Sequence, residues 1–170
     1  NGDRLKILSI SSWGSLQLNS TSVINFSGCA NLDLSSVSDI FNINSNTSLS
    51  DMFRNCTTLT TINNINSWDI SSVTNISAMF INCDNFNQSL NSWNTSSVQS
   101  MQGIFYNSTG ASLFNGNISS WDVSNVTNMN QVFHLATSFN QDISSWDVSS
   151  VTTMNEMFLN ADSFNQPIGS

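Results

Sequence analysis

The chain has 170 residues, a formal charge of −8 and only three basic residues, Arg4, Lys6 and Arg54; this excludes nucleic acid as a natural partner, because binding phosphates needs a dense cationic face. About 39% of the residues are hydrophobic and 8% charged, and 34 Ser and 27 Asn fill the balance, so a core lies under a surface solubilised by hydroxyls and amides. No apolar run approaches the roughly 18 residues of a membrane-spanning helix, and no signal peptide is visible.

Residues 1–24 read as an N-terminal capping segment with the first rung. The opening Asn1-Gly2-Asp3, without Met, reads as a fragment of a larger surface protein, whose other domains are expected partners. From 25 to 170 the chain repeats itself. Phe26, Phe53, Phe80, Phe105, Phe133 and Phe158 are separated by 27, 27, 25, 28 and 25 residues. Twelve residues before the last five stand Phe41, Trp68, Trp93, Trp121 and Trp146, while Trp13 stands thirteen before Phe26. Three residues after each Phe comes a small side chain: Cys29, Cys56, Cys83, Ser108, Ala136 and Ala161. The segment "LDLSSV" at 32–37 imitates "WDVSSV" but is out of register. The longest unit places its extra residues at Gly110 to Ser112, in a loop.

The best unit reads Ile143-x-x-Trp146-x-Val148-x-x-Val151-x-x-Met154. Trp146 and Val148, two apart, suit a strand that points both inward. Val151, Met154, Phe158 and Ala161, spaced 3, 4 and 3, suit the stripe of a short amphipathic helix with Thr153-x-x-Glu156 as its capping box. This predicts an α/β repeat fold: a leucine-rich-repeat-like solenoid of about six rungs, with a parallel sheet on one face, short helices on the other, and strands about 4.8 Å apart. No unit buries its apolar edge alone, which is why the unit is repeated.

The segments "FNQDISSWDVSSVTTMNEMF" and "ISSWDVSNVTNMNQVF" resemble the repeat of the BspA-like leucine-rich-repeat surface proteins of bacteria, including mycoplasmas, and some protists. The resemblance covers roughly 25 to 170, and "NGDRLKILSISSWGSLQ" is similar to the segment that leads into those repeats. It implies an extracellular or cell-surface location and an adhesion-type role, and it implies no catalytic residues. Phe41 in place of Trp and Asn94-Thr95 in place of Asp-Val depart from the pattern.

Cys29, Cys56 and Cys83 occupy the small-residue column, so core filling is the leading reading, with one disulfide or a metal as alternatives. The methionines and tryptophans read as packing. Asn87, Asn115, Asn140 and Asn165 of the "FNQ" corners read as a ladder of stacked amides. The only histidine, His134, shares a column with Arg54, Ile81, Tyr106 and Leu159, which marks it as peripheral, and no nucleophile–base set or phosphate loop is evident, so no enzyme is expected. Asn-x-Ser/Thr sequons at Asn55, Asn75, Asn107, Asn117 and Asn125 carry glycan only if the source is eukaryotic and the protein secreted.

The sharpest candidate surface is the residue between the two inward strand positions: Asn42, Asp69, Asn94, Asp122 and Asp147. Strand alternation sends it onto the sheet face beside Ser67, Ser92, Ser120 and Ser145. Stacked carboxylates, Asp122 and Asp147 above all, would be relieved by a weakly bound divalent cation such as calcium. The alternative is an Asx motif, each carboxylate hydrogen-bonding the turn that follows it. The functional expectation is a recognition or adhesion module that binds an extracellular protein or glycan through the sheet face. A passive spacer and an ice- or mineral-binding array are the alternatives, the latter suggested by the column Thr74, Gln99, Thr127 and Thr152.

Overall fold

Residues 25 to 28 apart in the chain lie one above the other. The computed structural model describes residues 5, 7–15, 25–43 and 48–168. The expected capping segment 1–24 falls partly outside them, as do Arg4, Lys6 and the Asn1-Gly2-Asp3 opening.

The register read from the phenylalanines is present as a stack of rings. Consecutive centroids from Phe26 through Phe53, Phe80, Phe105 and Phe133 to Phe158 are 5.8, 5.7, 6.0, 6.0 and 5.5 Å apart. Trp93, Trp121 and Trp146 form a second file at 6.1 and 6.3 Å. A third file, Phe86–Phe114–Phe139–Phe164, runs at 6.2, 6.0 and 5.8 Å and wedges against the first, with Phe105 and Phe114 only 3.7 Å apart. Buried aliphatic and sulfur side chains join these files into one apolar core. Offset stacking of this kind adds to the burial of the rings, each about 150–250 Å².

The backbone is not the expected α/β solenoid with a parallel sheet and short helices. Among the described residues the one regular element is a 3-10 turn at Ile65–Ser67. Parallel pairing is confined to single residues, in the series Ser48, Asn75, Ser100, Asn128 and Thr153 and in the pairs Ser9–Asp33 and Leu34–Ile62. Two local causes replace strand and helix by tight turns. Around Trp68, Trp121 and Trp146, apolar residues three apart close a turn on one another: Trp121 N–H donates to Ile118 C=O at 3.2 Å and Val126 N–H to Val123 C=O at 2.9 Å. Around Phe53, Phe80, Phe133 and Phe158, the positions two before and two after take left-handed φ: Asp51 and Asn55, Ala78 and Asn82, Gln131 and Leu135, Glu156 and Asn160. Two such residues in five interrupt any helix. The capping box is also absent: Thr153 Oγ1 bonds Asn128 at 3.2 Å, and the Glu156 carboxylate accepts from Gln131 Nε2 at 2.7 Å.

The left-handed residues cost about 1–2 kcal/mol apiece where the side chain is neither Gly nor Asn. What repays this is a ladder along the Phe column in which each rung donates to the next, while other donors point back, as Thr127 N–H to Gln99 C=O at 2.9 Å. Asp51, Phe53 and Asn55 donate their N–H groups to the carbonyls of Ser77, Met79 and Ile81 at 3.0, 3.0 and 2.7 Å. Phe26 and Gly28 donate likewise to Met52 and Arg54, and the same three positions donate onward at each later junction, ending with Gln131, Phe133 and Leu135 to Asn155, Met157 and Leu159. The intervening N–H groups close turns within their own rung, as Arg54 to Asp51 at 3.2 Å. Rungs also approach closely at Gly116, where a Cβ would stand 2.0 Å from the Gln88 carbonyl oxygen.

Candidate functional site

The sequence places five equivalent side chains, Asn42, Asp69, Asn94, Asp122 and Asp147, on one exposed edge, and all five are exposed. They do not lie on a sheet. Each of the last four opens a tight turn and is held by the residue two ahead. Asp69 accepts from the Ser71 N–H at 3.0 Å and its hydroxyl at 2.6 Å. Asp122 accepts from Ser124 at 3.0 and 2.6 Å, and Asn94 from Ser96 at 3.2 and 2.7 Å. Asp147 accepts from the Ser149 N–H at 3.0 Å. The out-of-register Asp33 makes the same bond, to Ser35 at 2.8 Å. This is the Asx alternative: the short carboxylate bonds the backbone locally and turns the chain.

The serine hydroxyls in turn hold each carboxyl below its ordinary range. For Asp69, Asp122 and Asp147 the serine hydroxyl is the main cause and the serine N–H the second. The carboxylate of Asp147 only weakly opposes ionisation of Asp122. No three His, Cys, Asp or Glu side chains among the described residues gather to hold a metal, so a cation bridging Asp122 and Asp147 has no ligand set there.

The serines expected beside this row are exposed, and most bond the rung before. Ser92 Oγ donates to Asn66 C=O at 3.2 Å, Ser145 Oγ to Ser119 C=O at 3.1 Å, and Ser120 Oγ to Asn91 C=O; Ser67 is exposed. The threonine column is used similarly: Thr127 and Thr152 donate to the carbonyls of Gln99 and Thr127 at 3.2 and 2.9 Å. The "FNQ" asparagines form a ladder, Asn115, Asn140 and Asn165 N–H donating to the side-chain oxygens of Asn87, Asn115 and Asn140 at 2.7, 2.9 and 2.9 Å.

The three cysteines are buried free thiols. Cys56 Sγ lies 3.2 Å from the Phe26 carbonyl and Cys83 Sγ 3.0 Å from that of Phe53. Burial, with the neighbouring Cys29 second, pushes the Cys56 thiol up to about 12, and burial raises Cys83 well above the usual range. Thiols so far from ionisation are poor nucleophiles and poor metal ligands at neutral pH. His134 packs edge-on to Tyr106 at 5.0 Å, with Nδ1 3.2 Å from Glu156. Of the sequon residues, Asn107 is buried and bonds Asp84 at 2.6 Å.

The third aromatic file was missed in the sequence, although Phe86, Phe139 and Phe164 each stand six after a register Phe. Phe114 stands nine after Phe105, displaced by the three inserted residues, and that shift hides the column.

No helix among the described residues is long and apolar enough to cross a membrane. No curated protein and no solved structure matches the chain. The family described as "Mycoplasma protein of unknown function, DUF285" matches residues 19–111 and again 109–170. With both matches laid end to end over its repeats, the chain belongs to that family.

Proposed function

We propose that the chain is a non-enzymatic recognition module of an extracellular or cell-surface protein, binding a protein or glycan through the edge that carries Asp69, Asn94, Asp122 and Asp147. One observation carries the reading: four equivalent polar side chains, one per rung, are exposed and held in a fixed orientation by the serine two residues on. Side chains already ordered lose little entropy when they meet a ligand. The row is acidic and rich in hydroxyls, which favours a basic or polyhydroxylated partner. Hydrogen bonds at so exposed an edge compete with water, so single contacts are weak and adhesion depends on several rungs acting together. The resemblance to BspA-like surface repeats supports the same location and role.

The structural-spacer reading has its own support, because the Thr127 and Thr152 hydroxyls and the serine hydroxyls are engaged with backbone carbonyls. That engagement also leaves the threonine column ill-suited to an ice-binding array. The experiment is binding of the chain to a panel of immobilised glycans and matrix proteins, alongside the D69N/D122N/D147N variant. Asn94 makes the turn without a charge, so the variant keeps the fold and removes the acidity. Binding reduced at least about tenfold, which is about 1.4 kcal/mol, with an unchanged melting temperature supports the acidic row. Equal binding by the variant moves the working surface elsewhere, and no binding across the panel favours the spacer.

A further inference from the structure

The position one after the register Phe changes chemistry from rung to rung. It reads Ser27, Arg54, Ile81, Tyr106, His134 and Leu159, and it holds the only tyrosine and the only histidine of the sequence. Arg54 is also the one Lys or Arg among the described residues. Ile81 is buried there, so packing alone is met by an aliphatic side chain. The column two before the Phe narrows at the same rungs, where Ala78 and Gly103 stand between Asp51 and Gln131. Two short side chains between two longer ones leave an open groove of about 400 Å³, lined by Arg54, Tyr106, Gln102, Gln131 and Ser77 as well. The groove belongs to rungs two to five, each of which is bonded to a rung on either side.

The groove is held rigid by the ladder beneath it. Ala78 N–H donates to Gln102 C=O at 2.8 Å and Gly103 N–H to Asn130 C=O at 2.9 Å. Tyr106 is half-buried and braced by His134, edge-on at 5.0 Å, which in turn meets Glu156 at 3.2 Å. Each polar side chain spends part of its bonding capacity on the protein. Gln131 gives its Nε2 to Glu156 at 2.7 Å, and its side-chain oxygen has no protein partner among the described residues. Gln102 accepts from Asn128 at 3.2 Å, and its NH2 is likewise left over. Arg54 gives one N–H to Asp51 at 3.1 Å and keeps the rest of its fork.

We propose that this groove binds a short neutral saccharide, one sugar ring packed on Tyr106 and its hydroxyls bonded by Gln102, Gln131 and the Asp51–Arg54 pair. A sugar ring has an apolar C–H face and a rim of hydroxyls that both donate and accept. Tyr106 offers an apolar ring with a polar tip, and the amides and the ion pair set donors beside acceptors. A concave site with an apolar patch and a few placed polar groups is the usual makeup of a ligand site. Side chains braced in advance lose little freedom on binding. The charge of −8 repels an acidic sugar, and Asp51 already balances Arg54, so the ligand is neutral. The site is separate from the acidic row: Tyr106 and His134 stand twelve residues after Asn94 and Asp122.

NMR titration of the isotope-labelled chain with maltotriose, cellotriose, chitotriose and mannotriose, one at a time, tests the proposal. The expected result is saturable amide shifts at Gln102, Gly103, Tyr106 and Gln131 with at least one trisaccharide, and none at Asp69, Asp122 or Asp147. Tyr106→Leu removes the ring but uses the residue that Leu159 supplies in the same column. Ala78→Gln fills the groove with the side chain that Gln131 carries in its own column at the same φ of 58°. Both variants should keep the wild-type melting temperature and weaken binding at least about tenfold. The D69N/D122N/D147N variant should bind these sugars as wild type does. A groove that shifts with none of the four, shifts centred on the acidic row, or a Tyr106→Leu variant that binds as tightly as wild type would overturn the proposal.

Discussion

Rungs five and six are nearly the same sequence in different surroundings. Val123 is 1% exposed and Met129 0%, whereas their counterparts Val148 and Met154 are 43% and 41% exposed. Burial here is therefore not a property of the repeat; it is conferred by the rung that follows. A repeat has two apolar faces, and its predecessor covers only one, so stability accrues at junctions.

Breaking equivalent positions on the two sides of this contrast gives the largest expected effects. Phe133→Ala removes a ring packed between Phe105, Phe139, Trp146 and Phe158 and should cost about 4 kcal/mol. Phe158→Ala removes a half-buried ring and should cost about half as much, since only part of the transfer and cavity terms applies. Denaturant unfolding of both variants checks the ratio, and equal losses would mean that the last rung is packed as tightly as the rest. Met129→Ala should cost about 2–3 kcal/mol, and Met154→Ala less than about 0.5 kcal/mol.

The acidic edge offers a smaller effect. The carboxyls of Asp69, Asp122 and Asp147 are held below their ordinary range in the fold. Their stabilisation is complete above the unfolded value of about 3.9 and is lost as pH falls through the lower folded value. D122N keeps an acceptor for Ser124 and does not titrate there. It should melt close to wild type at neutral pH and lose less on acidification. A variant that loses as much as wild type would remove the Asp122 bond from the acid response.

The legible parts of the molecule are those in which one side chain type recurs in one column. The register phenylalanines, the buried cysteines and the "FNQ" asparagine ladder all have this property. The backbone was not legible, for a physical reason. Apolar residues three apart satisfy a helix stripe, yet they also satisfy a run of turns closed between residues three apart, and hydrophobic spacing does not separate the two. The left-handed positions would have separated them. Asn55, Asn82 and Asn160 carry that signal in the column two after the Phe, but Leu135 shares that column, and Ala78, Gln131 and Glu156 in the column two before read as helix formers. At those sites the bonds between rungs override local preference. The residues of the candidate row are exposed, but the expected sheet face is absent, because an Asp–x–Ser pattern suits both an alternating strand and an Asx turn.

The central claim is that, along the Phe column, each rung is held by N–H donors reaching forward to the next. Amide hydrogen exchange reads those donors one by one. The N–H groups of Phe53, Phe80, Phe105 and Phe133 should exchange slowly, each engaged with the following rung. Those of Phe158 and Asn160 should exchange near the rate of an exposed amide. Protection at Phe158 equal to that at Phe133, or fast exchange at all five phenylalanines, would contradict the forward ladder of the Phe column.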